Sequence, residues 1–257
     1  MRIDVYLTEK GFCESRNRAA RLISEGKVLF DGKPVLKASF DVDGDGHSVL
    51  ITEADKYVGR GGLKLEGALE SFKIDVTGKR CIDVGASTGG FTDCLIQHGA
   101  SHVCAVDSGR GQLHPTLLED IRVTSLEGYN ARELSPLEFG TFDIAVMDVS
   151  FISQTLLHAP VASVLNEGGI FISLIKPQFE SGKGALGKGG IVKKSADREA
   201  AVRRVIESAL LCGFSLVDVI CSPISGGDGN REYLAVFIKK QSEGERHLPD
   251  LRLLCKD

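Results

Sequence analysis

The sequence predicts an α/β protein: an open, mostly parallel sheet of seven strands with helices on both faces, preceded by a small α+β unit. Three features carry that prediction. Beyond residue 60, short apolar runs rich in Val and Ile alternate with amphipathic helical stretches, the pattern of strand–helix–strand units. A glycine turn directly follows the first of those runs and opens a helix, as in nucleotide-binding sheets. Before residue 60, elements are short and turns frequent.

In the first part, Thr8–Phe12 leads into a helix from Ser15 to Glu25. Ser15 is the expected N-cap, Ala19, Leu22 and Ile23 form the inner stripe, and Gly26 stops the helix. Val28-Leu29-Phe30 and Val35 flank Asp31-Gly32, a hairpin signal. The turn Asp43-Gly44-Asp45-Gly46 leads into Val49-Leu50-Ile51. After a polar link, Glu53 to Arg60, the pattern changes and Leu63–Phe72 reads as a helix. Strands are expected at Cys81–Val84, Val103–Val106, Ile121–Thr124, Ile144–Met147, Ile170–Ile175, Leu216–Ile220 and Leu234–Ile238. Helices are expected at Gly90–Gln97, Phe151–Leu165 and Ala196–Cys212. No convincing helix separates the final two strands, so the last should run antiparallel.

Composition narrows the function classes. The 257 residues are 42% hydrophobic and 26% charged, a balance that argues for a globular chain and against disorder. No apolar span approaches the roughly 20 residues of a membrane helix. The N-terminus, Met-Arg-Ile-Asp-Val-Tyr, has no apolar signal core, so a cytoplasmic location is expected. Seven scattered cysteines without a Cys-x-x-Cys point to neither a disulfide framework nor a zinc site, and no metal is expected. The net charge is −4, yet two patches are basic. Arg2–Phe40 holds eight Lys/Arg against five Asp/Glu, and Lys176–Arg204 holds eight against three.

Cys81–Val84 followed by Gly85-Ala86-Ser87-Thr88-Gly89-Gly90-Phe91 is a strand, a glycine turn and a helix start. Glycines let a ligand lie against the backbone, and the helix N-terminus offers free N–H groups. Asp107 ends the next strand, 22 residues after Gly85, where a carboxylate would accept from ribose hydroxyls. Asp83 would repel a pyrophosphate and suits a ligand with a cationic amino group, such as S-adenosylmethionine. The same turn also occurs in α/β sheets that bind nothing. Two further polar residues end strands: Asp148 after Ile144–Met147, and Lys176 after Ile170–Ile175. Strand carboxyl ends face the ligand crevice in such sheets. Partial desolvation there would lower the lysine pKa and suit it as a base, while a neighbouring carboxylate opposes that shift and aims the amine. A structural ion pair capping two strands would use the same residues. Asp148 is followed by Val-Ser-Phe, not the Pro-Pro-aromatic run of amino-methylating enzymes, and there is no Pro-Cys dipeptide. A lysine base suits a sugar hydroxyl.

These residues resemble a known family across residues 2 to 240. The segments that carry the resemblance are Arg2-Ile3-Asp4, Tyr57-Val58-Gly59-Arg60-Gly61-Gly62-Leu63-Lys64-Leu65, Asp83–Asp93, Asp148-Val149-Ser150-Phe151-Ile152-Ser153, Lys176-Pro177-Gln178-Phe179-Glu180 and Arg231-Glu232-Tyr233. Together they are similar to the TlyA family, also called haemolysin A. Its members are ribosomal-RNA 2′-O-methyltransferases with an RNA-binding domain of the ribosomal-protein-S-four type. The resemblance implies a Rossmann-like class I methyltransferase sheet of seven strands, the last antiparallel, behind a small α+β RNA-binding domain. It implies domains at 1–55 and 63–240 and a linker at 56–62; the C-terminal tail at 241–257 extends past the last strand, matches none of these segments, and is expected to be either disordered or a packing extension. It also implies the FtsJ-like Lys-Asp-Lys-Glu tetrad on Lys64, Asp148, Lys176 and Glu232. S-adenosylmethionine would be bound by Asp83, Gly85, Ala86, Ser87, Gly89, Gly90, Phe91, Asp107 and Asp148, with Asn130 at the adenine end. The substrate would be a cytidine ribose in small- or large-subunit ribosomal RNA, free or in an assembled subunit.

For RNA, Arg16, Arg18 and Arg21 would share one helix with Lys27 and Lys33 nearby, a footprint for phosphates read by shape. Arg2 and Arg60, from the matching segments, join that set. Two motifs are decoys. Gly182–Gly189 is one residue short of a phosphate loop, and Asp41-x-Asp43-x-Asp45-Gly46 imitates a calcium loop but has Thr52 at position twelve. The rival functions are a haemolysin or cytotoxin, and a noncatalytic RNA-binding assembly factor. The first lacks an amphipathic cationic helix, and the intact tetrad argues against the second.

Overall fold

The structure, a computed structural model, describes residues 1–52, 56–240 and 250–256. The chain forms two compact units, Met1–Asp55 and Lys56–Asp257.

In the first unit, helix α1 (Ile3–Glu9) precedes α2 (Arg16–Ser24). The sequence reading missed α1: its buried residues Ile3, Tyr6 and Leu7 cover under two turns, too little to show a period. Ser15 caps α2, its hydroxyl accepting from the Arg18 N–H at 3.3 Å. Strands β1 (Val28–Phe30), β2 (Lys33–Pro34) and β3 (Val49–Ile51) form an antiparallel sheet in the order β2-β1-β3. Ala19, Leu22, Ile23, Val28 and Phe30 join α1 in one small core. Two of the three carboxylates that imitate a calcium loop are engaged elsewhere: Asp45 pairs with Lys10 at 2.8 Å and Asp41 with the N-terminal amine at 2.8 Å.

The second unit begins with α3 (Gly61–Phe72), β4 (Arg80–Val84), α4 (Gly90–Gln97), β5 (His102–Asp107), α5 (Pro115–Leu118) and β6 (Val123–Glu127). It continues with α6 (Pro136–Phe139), β7 (Phe142–Met147), α7 (His158–Val164), β8 (Leu165–Ile175), α8 (Pro177–Glu180) and α9 (Ser195–Leu211). It closes with β9 (Phe214–Cys221), β10 (Tyr233–Lys239) and α10 (Leu251–Leu254). The seven strands run in the order β6-β5-β4-β7-β8-β10-β9, and β10 is antiparallel to both of its neighbours. The side chains of β8 alternate faces. Ile172 and Leu174 pack with α3 and α4, while Phe171 and Ile175 pack with α7 and α9.

Two expectations are corrected here. The strand placed at Ile121–Thr124 is shifted to Val123–Glu127, and Ile121 is almost fully exposed. The helix placed at Phe151–Leu165 starts only at His158, after a 3₁₀ turn at Gln154–Leu156, because Phe151 sits at φ +64°, outside helical space. The segment read as a linker is packed into the second unit. Tyr57 is buried, with its hydroxyl donating to Glu66 at 2.9 Å, and the Val58 N–H donates to Asp93 at 2.8 Å. Of the tail, residues 241–249 and 257 lie outside the described residues. Within 250–256, Leu251 and Cys255 are buried and the Cys255 carbonyl accepts from Arg198 at 2.7 Å, so α10 packs against α9.

Candidate active site

The crevice forms where the carboxyl ends of β4, β5, β7 and β8 meet. At Gly85 the chain leaves β4 with φ +87°, and a Cβ there would lie 2.6 Å from the Asp148 carbonyl oxygen. Only glycine lets the two strand ends approach so closely. Two adjoining hollows follow the turn. The larger, about 460 Å³, is walled by Gly85, Ser87, Asp107, Asn130 and Asp148. The smaller, about 170 Å³, adds Ala86, Gly90, Phe91 and Lys176. Gly89 shapes the turn through its φ of +94°; a Cβ there would strike Leu117.

Asp107 stitches the turn to β5. Its carboxylate accepts from the Ser87 N–H at 2.8 Å and the Gly109 N–H at 2.7 Å. Asp83 does not line either hollow. It is fully buried, and its Oδ2 accepts from the Thr92 hydroxyl at 2.7 Å. Burial pushes its carboxyl up to about 7; the Thr92 hydrogen bond opposes this and the Asp148 charge adds to it.

The four tetrad candidates form two ion pairs. Lys176 Nζ lies 2.6 Å from Asp148 Oδ1, and it donates to the Ser150 hydroxyl at 2.8 Å. Lys64 Nζ lies 2.5 Å from Glu232 Oε2, and these side chains are 9% and 3% exposed. Strand register explains the arrangement. Tyr233 pairs with Ile175, so Glu232 and Lys176 leave the same end of the β8–β10 ladder. Met147 pairs with both Val84 and Ser173, which brings Asp148 to that end too. Lys64 enters from the first turn of α3, whose Gly61 borders the smaller hollow.

Several site groups escaped the sequence reading. Phe151 is 92% exposed at the crevice wall and packs on Phe179 with ring centroids 5.2 Å apart, while Lys176 Nζ stands 5.9 Å from the Phe179 centroid. Glu127, at the end of β6, accepts from the N–H groups of Gly111, Gln112 and Leu113 at 2.7 to 3.1 Å. Those bonds hold its carboxyl below the usual range and shape the loop beside Asp107. The matching segment around Phe151 was visible in the sequence, whereas nothing local marks Glu127.

The basic candidates of the first unit are at its surface. Arg2 and Arg16 both reach Asp4, at 2.9 and 3.3 Å. Arg18 pairs with Glu14 at 3.0 Å, while Arg21 and Lys27 flank Glu25 at 4.0 and 3.2 Å. Lys33 stands exposed on β2. Arg60, in the second unit, donates to the Ser225 carbonyl at 2.8 Å.

A sheet of this order, with an inserted antiparallel strand and a glycine-rimmed crevice beside paired Lys and Asp, defines a class I methyltransferase. Comparison with known proteins narrows the class. Residues 57–239 match the FtsJ-like methyltransferase model and residues 1–47 the S4 domain model. The 16S/23S rRNA (cytidine-2′-O)-methyltransferase TlyA of Mycobacterium tuberculosis is 43% identical over 245 residues, covering 94% of this chain and 91% of that one. Hemolysin A of Brachyspira hyodysenteriae is 42% identical over 240 residues, 93% of this chain and 100% of that one. A solved Streptococcus thermophilus structure with a hemolysin designation superposes with a TM-score of 0.78 at 40% identity, covering 99% of this chain and 94% of that one. The chain therefore belongs to the FtsJ-like methyltransferases, in the TlyA group that carries an S4 domain.

Proposed function

We propose that the protein methylates the 2′-oxygen of a cytidine in ribosomal RNA, of the small or large subunit, with S-adenosylmethionine as donor. The observation that carries this reading is the Lys176–Asp148 pair, 2.6 Å apart, on the wall of the hollow beside Gly85. The larger hollow has the size of a small-molecule site and a mixed lining, with Val84, Val106 and Leu157 among its apolar residues and carboxylates at its polar end. Those features fit the cofactor. The turn Gly85-Ala86-Ser87-Gly89-Gly90-Phe91 would hold its amino-acid end, and Asp107 and Asn130 its nucleoside. When bound, it supplies a methyl group already activated on a sulfonium.

The protein's work is then positioning and proton removal. Lys176 is placed to accept the 2′-proton as the oxygen attacks. Asp148 orients that amine and lies at the edge shared by both hollows. Lys64 and Glu232 brace the strand ends that present Lys176 and place the nucleotide. Phe151 offers a face on which the target base stacks. Asp83 acts indirectly, holding Thr92 in the first turn of α4. In the first unit, Arg2, Arg16, Arg18, Arg21, Lys27 and Lys33, joined by Arg60, meet RNA phosphates. This activity places the protein with ribosomes in the cytoplasm; no helix among the described residues is long and apolar enough to cross a membrane.

The test is mass-spectrometric mapping of ribose methylation in ribosomal RNA and in isolated subunits incubated with protein and donor. One or a few new 2′-O-methylcytidines are expected. Methylation of bases only, or none on either substrate, overturns the proposal.

A further inference from the structure

Lys176 and Asp148 sit on two different segments, and neither segment is regular where it matters. Residues 148–153 leave β7 without helix or strand. Within them Phe151, bulky and 92% exposed, is held at φ +64°. Such a conformation persists only where the surroundings impose it, and it clusters at functional sites.

The group that ties this segment down, two and three residues beyond Phe151, is Glu180. It closes α8, the short helix for which Lys176 is the N-cap. Its carboxylate is buried, 4% exposed, and reaches back to the other segment. Oε2 accepts from the Ser153 hydroxyl at 2.6 Å, and Oε1 accepts from the Gln154 N–H at 2.8 Å. Gln154 is itself tied to β8: its side-chain oxygen accepts from the Ser173 hydroxyl, and its amide donates to the Leu174 carbonyl at 3.4 Å. The Glu180 carbonyl accepts from Arg204, which fixes α8 against α9. One buried carboxylate thus joins the segment carrying Lys176 to the segment carrying Asp148, Ser150 and Phe151.

We infer that Glu180 is a positioning residue, which sets the placement of Lys176 against Asp148 and Ser150 and holds Phe151 in its strained pose. The inference rests on the proposed methyl transfer for its kinetic meaning. A role in folding alone would lower the melting temperature and the active fraction, and would leave turnover per folded molecule unchanged.

Steady-state transfer to the mapped RNA, with cofactor affinity measured alongside, separates these roles. For Glu180→Ala, kcat should fall about 10- to 100-fold, the scale of an ångström-sized misplacement, while cofactor Kd stays within about twofold. Glu180→Gln keeps an acceptor for the Gln154 N–H and donates to the Ser153 oxygen, so it should recover most of the turnover. Ser153→Ala removes one of the two bonds and should fall between them; it decides the matter if Glu180→Ala does not fold. Unchanged kcat in Ser153→Ala and Glu180→Ala, or a glutamine variant as poor as the alanine one, overturns the inference. A second readout needs no RNA. An amine-acylating reagent, read by peptide mass spectrometry, should label Lys176 several-fold faster in Glu180→Ala and Ser153→Ala than in the wild type. An equal labelling rate overturns the inference even if the wild type methylates RNA. If the wild type methylates nothing, only the functional proposal falls and the labelling result still stands.

Discussion

In the first unit, basic side chains pair with carboxylates at the surface: Lys10 is 44% exposed beside Asp45 at 80%, and Arg18 is 34% exposed beside Glu14 at 60%. In the second unit, Lys64 and Glu232 are 9% and 3% exposed, and Lys176 and Asp148 are 12% and 20% exposed. Exposed pairs contribute little and are screened by salt, so a phosphate can take the place of the carboxylate. Enclosed or half-enclosed pairs have less water to fall back on, so their geometry is held more firmly. The difference teaches a division of labour. Exchangeable charge suits docking on a polyanion, and enclosed charge suits the placement of one proton and one methyl group.

Four groups of variants test that contrast, from the largest effect down. Lys176→Ala should lower methyl transfer about 10²- to 10⁴-fold with cofactor affinity retained, measured by turnover and calorimetry. Turnover close to wild type would remove the distinction at its strongest point. Removing one partner of the deepest pair, by Lys64→Met or Glu232→Leu, should destabilise the protein by about 3–5 kcal/mol in denaturant unfolding. The double variant should lose less than either single one, because no charge is left stranded; equal or additive losses would argue that the pair is not held by burial.

Asp83 gives a pH-dependent test with an unusual sign. Burial holds its carboxyl up at about 7 in the folded protein, well above the usual carboxylate range near 4. Between those values the folded protein keeps a proton that the unfolded chain releases. Its contribution to stability therefore falls as pH rises from about 4 to about 7, then levels off. Asp83→Asn should gain stability over the wild type across that window, reaching a few kcal/mol, on the order of the shift, at pH 8. A stability difference independent of pH would show that the group titrates normally. The smallest effect belongs to the surface. Lys33→Ala, at an exposed position on β2, should change stability by less than about 0.5 kcal/mol, yet reduce the salt slope of RNA binding by about one. A large stability loss, or an unchanged slope, would blur the two kinds of charge.

Much of the architecture was legible because its causes are local. Ser15 caps α2 through a bond to a residue three positions on. The turn after β4 needs glycine at Gly85 and Gly89 whatever the rest of the chain does. The alternating apolar runs announce buried strands, and the tetrad candidates stood at strand ends or in matching segments. The misses also have causes. The short α1 has too few turns to display a period, and Ile121 looks like strand but lies just before β6. Phe151 was read into a helix since nothing in Val-Ser-Phe-Ile-Ser reveals a left-handed residue. Glu127 and Glu180 bind partners 14 and more residues away, so their neighbours in sequence give no sign of it.

By itself the sequence determined most of the strands and helices, most of the turns, and which polar residues end strands. Those outcomes follow from period, glycine φ and capping, each settled within a few residues. Only the tertiary structure decided that Lys64 meets Glu232 in burial, that Asp83 is enclosed while Asp107 lines the cavity, and that one buried glutamate ties together the segments that carry Lys176 and Asp148. Such pairings depend on strand register and on how much water remains, quantities that exist only once the sheet has closed over its helices.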